Sequence, residues 1–245
     1  MTLVDIAKTL RSAVADLTFS DPVSAVYNPI DYAWKLHETY LARYGRPPRR
    51  ILLIGMNPGP FGMAQTGVPF GDPAMVKNLL RITGSVGRPD PEHPKRPIAG
   101  LASTRREVSG TRLWSWVADR FGTADAFFAE FFVGNYCPLV FLEASGRNRT
   151  PDKLPKAERE PLFAACDEAL CATVDLLKPE LVIGIGRFAE QRIRQAVTDQ
   201  TIRIASILHP SPANPKANRD WAGQVDEALA RLGVQIPEHQ SNPRM

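Results

Sequence analysis

Cysteine is scarce: Cys137, Cys166 and Cys171 are the only three in 245 residues. They cannot supply four thiolates from one chain and show no C-x-x-C spacing, which excludes a four-cysteine zinc or iron–sulfur site. Without a disulfide framework the chain fits a reducing interior and is expected to be soluble and intracellular. Cys166 and Cys171 fall on a helix-like stretch with Leu162, Ala169 and Leu170, where buried thiols are expected. No cluster of His, Cys and carboxylates has ligand spacing, so no metal is expected. Long apolar runs are missing too. Asp5 and Asp16 interrupt residues 1–20, which reads as neither a signal peptide nor a membrane span. There is no repeat and no low-complexity tract. Lysine is sparse at 8 residues against 22 arginines, with a net charge of +4 and a pI near 9.1. That balance suits phosphate recognition through the guanidinium fork. With 44% hydrophobic residues the chain can bury a sizeable core. It reads as one domain over 1–245, with a polar tail expected to fray from about 237 to 245.

What the chain does have is one unusual loop. After the apolar run Ile51-Leu52-Leu53-Ile54, residues 55–71 contain five glycines and three prolines. Such a backbone is stiff yet can approach a ligand closely. It also holds Met56, Phe61, Met63, Val68 and Phe70 together, which is unusual for a solvated loop. Asn57 adds an amide and Phe70 an aromatic face, the two tools with which a base is recognised. The loop reads as a pocket wall.

Asn28-Pro29 opens a predicted helix with Ile30, Ala33, Trp34, Leu41 and Tyr44 near the 3.6-residue period, and Gly45 closes it. Strands are predicted over Ile51–Gly55, Phe131–Asn135, residues 181–186 and residues 202–208. Helices are predicted over residues 73–81, 112–121, 155–177, 187–199 and 218–232. Their alternation predicts an α/β fold: a short four-stranded parallel sheet sandwiched between helices. Ligands of such folds sit beyond the carboxyl ends of the strands. Asn57, Asn135 and His209 all fall there. Residues 83–100, with Arg88, Lys95 and Arg96, and residues 142–155, with Arg147, Arg149 and Lys153, read as loops. Asp72 reads as a helix N-cap ahead of Pro73.

The pocket loop has a partner, His209-Pro210-Ser211-Pro212-Ala213-Asn214-Pro215-Lys216-Ala217-Asn218, directly after the last strand. These two segments, with Gly134-Asn135-Tyr136-Cys137-Pro138-Leu139 between them, resemble the single-strand-selective monofunctional uracil-DNA glycosylases, a branch of the uracil-DNA glycosylase superfamily. The likeness runs over residues 22–233. It includes Glu107-Val108-Ser109-Gly110, Ser145-Gly146-Arg147-Asn148 and Leu181-Val182-Ile183-Gly184-Ile185-Gly186-Arg187-Phe188. The resemblance implies the strand order 2-1-3-4. It also implies a monofunctional DNA glycosylase of base excision repair that hydrolyses the N-glycosidic bond of uracil, with oxidised or deaminated bases as further candidates. No cofactor is expected. The expected partners are single- and double-stranded DNA containing uracil or a related base, engaged by a monomer without a membrane.

Breaking the bond between uracil N1 and deoxyribose develops positive charge on the sugar and negative charge on the base, so the main task is electrostatic. His209 is the candidate neutral donor to the leaving base. Asn57 is too weak a base to activate water and is the candidate for positioning it. Asn135 has an acceptor and a donor on one amide, matching the uracil N3–H and O4 edge and mismatching cytosine. The resemblance carries that role onto Asn135 and stacking of the flipped base onto Phe70. It further implies that Gly59 and Met63 present backbone groups to a water beside C5, and Met56 completes the expected uracil-binding set. Ser211, Pro212, Ala213, Asn214, Lys216 and Arg219 are expected along DNA, helped by the dipole of a helix beginning near Asn218. Arg147 and Arg149 are expected at phosphates. The family often has an arginine wedge after the Ser-Pro pair, where this chain has Ala213, a departure that bears on duplex handling and leaves the pocket matched.

Two other readings stay open. Gly184-Ile185-Gly186-Arg187-Phe188-Ala189 fits the dinucleotide fingerprint G-x-G-x-x-A, although it follows the third strand and has no acidic residue about 20 positions on. A non-enzymatic nucleic-acid-binding module accounts for the basic balance and the arginine loops, and leaves the convergence of Asn57, Asn135 and His209 unexplained.

Overall fold

A computed structural model describes residues 1–237; the tail expected to fray over 237–245 lies outside the described residues beyond Pro237. The chain begins with helix α1 (Leu3–Ala13), which has no counterpart among the predicted elements. A capping box starts it: the Thr2 hydroxyl accepts from the Asp5 N–H and the Asp5 carboxylate accepts from the Thr2 N–H. Strand β1 (Val23–Tyr27) follows, then α2 (Pro29–Tyr32) and α3 (Trp34–Tyr44). The single helix expected from Asn28 to Gly45 is thus broken at Ala33, whose ψ of 24° leaves the helical region.

Strand β2 (Ile51–Gly55) leads through the short α4 (Met63–Thr66), α5 (Pro73–Asn78), α6 (Val108–Phe121) and α7 (Ala124–Phe128) into β3 (Phe131–Asn135). Strands β4 (Val140–Glu143) and β5 (Asn148–Arg149) occupy a stretch largely expected to be loop. The rest alternates α8 (Lys156–Leu177), β6 (Leu181–Ile185), α9 (Arg187–Ala196), β7 (Arg203–Ile207) and α10 (Pro215–Arg231). Helix α10 starts ahead of the predicted position because Pro215 and the Asn214 cap, which accepts from the Lys216 N–H at 3.1 Å, set its first turn. Cys166 on α8 is fully buried, whereas Cys171 is only half-buried, against the expectation of two buried thiols.

The main sheet is four-stranded and parallel in the order β3-β2-β6-β7, the order 2-1-3-4 that the resemblance implies. Every residue of β2 and β6 is buried, which is why these central strands read as unbroken apolar runs. The side chains of β3 alternate between two helical layers: Phe131 stacks on Phe127 of α7, centroids 4.8 Å apart, while Phe132 meets Tyr40 of α3. Register then places the site. Gly55 pairs with Asn135 and Ile185 with Ile207, so the strands end level and the segments leaving them share one edge.

A second sheet, antiparallel β1-β4-β5, stands beside the first. It has a small core of its own, formed by Ala25, Tyr27, Ala64, Ile98, Val140 and Leu142. Ala64 belongs to the pocket loop, so this sheet braces that loop from behind.

Candidate active site

A pocket of about 360 Å³ opens at the carboxyl edge of the parallel sheet. Its lining includes residues at or just beyond the carboxyl ends of β2, β3 and β7, the edge at which α/β folds bind ligands. Its lining brings together Met56, Asn57, Gly59, Met63, Phe70, Asn135, His209, Ser211 and Pro212, all expected from the sequence. Pro60, Glu107, Ser109, Asn148 and Thr150 also line it, without having been given a role. Glu107, Ser109 and Asn148 fall in the tetrapeptides Glu107–Gly110 and Ser145–Asn148, which carry resemblance and no self-evident chemistry, while Pro60 belongs to the pocket loop and Thr150 to the loop expected over 142–155.

The pocket loop is a rigid wall. Buried Gln65 donates to the Pro60 and Pro97 carbonyls and accepts from the Ala99 and Gly100 N–H groups. The Thr66 hydroxyl donates to the Gly71 carbonyl and the Tyr32 hydroxyl to that of Ala64. At the far end Asp72 is fully buried and caps α5, accepting from the Ala74 and Met75 N–H groups. Its second oxygen accepts from Arg106, Thr111 and the Glu107 N–H. Burial pushes the Asp72 carboxyl up, but these donors outweigh it and hold its pKa below the ordinary value. The loop end is thereby fastened to the start of α6.

Phe70 adopts φ +54°, unusual for a bulky residue. Its carbonyl accepts from the Trp114 indole at 3.1 Å and from the Asp72 N–H at 2.8 Å. Gly110 makes this possible, because any side chain there would run into the Phe70 carbonyl. On the opposite side, Gly55 leaves room that a Cβ would take from the Phe70 ring and Asn135 Oδ1. The fold therefore bears backbone strain to face an aromatic ring into the pocket.

Three polar side chains arrive from three strands. Asn57 donates through Nδ2 to the Leu139 carbonyl at 3.1 Å, which orients its amide and leaves Oδ1 as the remaining acceptor. Asn135 directs Nδ2 at the Met63 sulfur, and its Oδ1 is buried with no partner among the described residues. His209 accepts the Ser211 N–H on Nδ1 at 3.1 Å, so the neutral ring carries its proton on Nε2. Burial lowers the His209 pKa and keeps the ring neutral. Its ring centroid lies 6.3 Å from that of Phe70. The other described histidines hold structure: His37 bonds the Gly67 carbonyl through Nδ1, and His93 lies between the Glu143 carbonyl and the Lys95 N–H.

The loop after His209 is stapled from both sides. Arg112 donates to the Pro210 carbonyl at 3.0 Å and to Asn218 at 2.8 Å, and the Trp221 indole donates to the Leu208 carbonyl. Asn218 in turn donates to the Pro212 carbonyl. Ala213, Lys216 and Arg219 are exposed, while Ser211 accepts from the Ala213 N–H and Asn214 serves as the helix cap. Of the two arginines expected at phosphates, Arg147 is exposed with no ion pair among the described residues. Arg149 is instead half-buried, donating to Glu143 at 2.9 Å and to the Lys153 carbonyl. Glu107 packs beneath Gly59 and Gly62, where any side chain would strike it. Burial raises its pKa against the backbone N–H groups of Ser109 and Phe61. Among the described residues no group of three or more His, Cys, Asp or Glu could hold a metal ion.

A sequence profile of the Uracil DNA glycosylase superfamily matches residues 42–232. The chain belongs to that superfamily. The match spans the pocket loop, β3 and the His209 segment, so the site lies inside the glycosylase region. Similar proteins include the single-strand selective monofunctional uracil-DNA glycosylase of Rattus norvegicus, 49% identical over 92% of this chain and 82% of its own. Those of Mus musculus and Bos taurus are 48% and 47% identical over 92% of this chain, covering 81% and 84% of their own. Among solved structures, Pedobacter heparinus SMUG2 superposes with a TM-score of 0.66 over 95% of this chain and 97% of that one. At 20% identity that likeness shows a shared fold.

Proposed function

We propose that this superfamily member is a monofunctional glycosylase that hydrolyses the N-glycosidic bond of uracil in DNA and leaves an abasic site. The observation that carries this reading is Asn135 Oδ1, a buried acceptor without a protein partner in a pocket walled by Phe70 and His209. An orphaned buried acceptor is costly unless a ligand donor completes it, and uracil N3–H is such a donor. The flipped base stacks on Phe70, and Asn135 reads its edge. Met56, Gly59 and Met63 close the pocket around C5, where a bridging water would admit a hydroxymethyl group more readily than a methyl.

His209 Nε2–H serves as a fixed donor to the carbonyl that gains charge as the C1′–N1 bond breaks. The sugar becomes an oxocarbenium-like electrophile, and Asn57 Oδ1 orients the water that attacks C1′. Water oxygen becomes the hydroxyl on C1′, its proton is released, and the uracil anion leaves to be protonated. No lysine lies among the residues of this pocket to form a Schiff base with the sugar, which supports hydrolysis without strand cleavage. Ser211, Pro212, Ala213, Asn214, Lys216 and Arg219 follow the DNA backbone beside the pocket. The relatives are named for single-strand selectivity, and a small residue at Ala213 agrees with that preference here. Such an enzyme works as a monomer where its DNA is, inside the cell.

Oligonucleotides with one modified base each, incubated in chelator and then treated with hot alkali, test the reading. Uracil release with strand breaks only after alkali is expected. Breaks before alkali, dependence on an added metal, or no release of uracil would overturn it.

A further inference from the structure

Of the basic residues around Phe61 and Gly146, Lys95, Arg96 and Arg105 have none of the roles above, and Arg147 is the one already expected at phosphates. Phe61 follows Pro60 of the pocket wall, and its ring is flanked by two guanidinium groups, Arg105 at 4.2 Å and Arg96 at 5.2 Å. Lys95 and Arg96 pack over the turn at Gly146, whose φ of +80° and lack of a Cβ let the Arg96 guanidinium sit there. Arg147 is the next residue, and Asn148 after it lines the pocket. The guanidinium groups of Arg96 and Arg105 thus share the Phe61 ring beside the pocket wall, Lys95 packs its Cβ on the Gly146 turn, and Arg147 follows that turn.

Two guanidinium groups sharing one ring repel unless something neutralises them. The carboxylates that could do so are taken. Glu143 pairs with Arg149 at 2.9 Å, Glu92 with Arg88 at 3.6 Å and Asp72 with Arg106 at 2.9 Å, while Glu107 packs half-buried beneath Gly59 and Gly62 and faces the pocket. Among the described residues, Lys95, Arg96, Arg105 and Arg147 make no ion pair, and Arg96 Nε is buried without an acceptor. Cation–π contact with Phe61 orients the guanidinium groups; Arg96 Nη1 donates to the Lys95 carbonyl at 2.8 Å, while the Arg105 side chain makes no hydrogen bond among the described residues. The ligand that fits is a polyanion with spaced single charges arriving next to the pocket.

We propose that Lys95, Arg96, Arg105 and Arg147, arrayed on Phe61 and Gly146, form a second phosphate-binding rim that holds the single-stranded DNA backbone flanking the extruded base. The proposal rests on the glycosylase reading and extends it. The loop after His209 grips the strand at one part of the pocket mouth and this rim grips it at another, so affinity for single strands does not depend on a duplex wedge.

The test uses the full chain and a uracil-free single-stranded oligonucleotide, with affinity measured by fluorescence anisotropy over a salt series. Removing one cation from a phosphate lowers the slope of log affinity against log salt by about 0.7 on single strands. Arg105→Gln is expected to show one such decrement, Arg96→Gln with Arg105→Gln about two, and Arg105→Lys close to none because the charge remains. Oligonucleotides extended stepwise on each side of a uracil should gain affinity for the unmodified protein, and the double variant should lose that gain on one side. Circular dichroism confirms that the variants fold. Slopes equal to that of the unmodified protein in the folded double variant would overturn the rim. Absence of uracil release by the unmodified protein would instead overturn the glycosylase reading, which the salt slope does not measure.

Discussion

His209→Ala is the sharpest perturbation of this site. The Ser211 N–H occupies Nδ1, so the ring can offer the base only Nε2–H, and it does so as a neutral dipole already aimed. Removing one preorganised donor to a developing anion costs about 2.7–4 kcal/mol, or 10²–10³ in rate. Single-turnover excision from a uracil-containing single strand, with enzyme in excess, reads that step apart from product release. Binding of the same DNA should change little, because His209 is assigned to no phosphate. His209→Gln should recover part of the rate, since its amide can donate near the Nε2 position. The pH profile supplies a second check. Burial lowers the His209 pKa, so the rate should hold to more acid solution than a free imidazole would allow and fall as the ring protonates and the Ser211 bond breaks. A folded His209→Ala protein within about threefold of the parent would remove His209 from the chemistry on that same scale of donor deletion. A rate that rises as the ring protonates would replace the neutral donor with an imidazolium.

Asn57→Ala should slow single-turnover excision by about 10², the scale of a mispositioned nucleophile, and Asn135→Asp should depress uracil excision because a carboxylate cannot donate to O4 and repels the leaving anion. Full uracil activity in Asn135→Asp would mean that the base edge is read elsewhere. Gly110→Ala drives a methyl into the Phe70 carbonyl, so urea denaturation should show a loss of about 1–3 kcal/mol and the KM for uracil-containing DNA should rise; unchanged values for both would separate Phe70 placement from α6. Burial lowers the His37 pKa to about 4 against 6.5 when unfolded, despite the Gly67 carbonyl that favours the charged ring. The unfolded chain takes up that proton first, so stability is full above 6.5 and declines by about 3 kcal/mol as pH falls to 4, a loss that His37→Asn should not show in the same titration. Ala213→Arg should raise excision from duplex more than from single strands, because a long side chain can fill the space left by the flipped base; an equal change on both substrates would reduce the effect to added charge.

The sequence alone carried the parallel sheet and the three residues at its edge. Central strands buried on both faces must be apolar throughout, so Ile51–Gly55 and Leu181–Ile185 announce themselves without partners, and the residue after a strand end is placed as soon as the strand is. Asn57, Asn135 and His209 were legible for that reason, as was the Asp72 cap, a local matter of a carboxylate ahead of Pro73. The antiparallel sheet was not. Its strands β1 and β4 meet across 118 residues, as in the Ser24 bond to the Leu142 carbonyl, and no short periodicity encodes so distant a pairing. That sheet carries Asn148 and Thr150 into the pocket wall and takes Arg149 into a pair with Glu143 while leaving Arg147 outside, a division between two neighbouring arginines that composition cannot make. The tertiary structure also decided the states of the site's groups. A histidine's proton sits where its neighbours permit, and only the folded loop brings the Ser211 N–H to Nδ1. Phe70 holds φ +54° only because Trp114 and Gly110 of α6 and the α5 cap Asp72 converge on its backbone. Residue types follow from the sequence, but tautomer, strain and unpaired acceptors come from through-space contacts, and those exist only once the chain has closed around them.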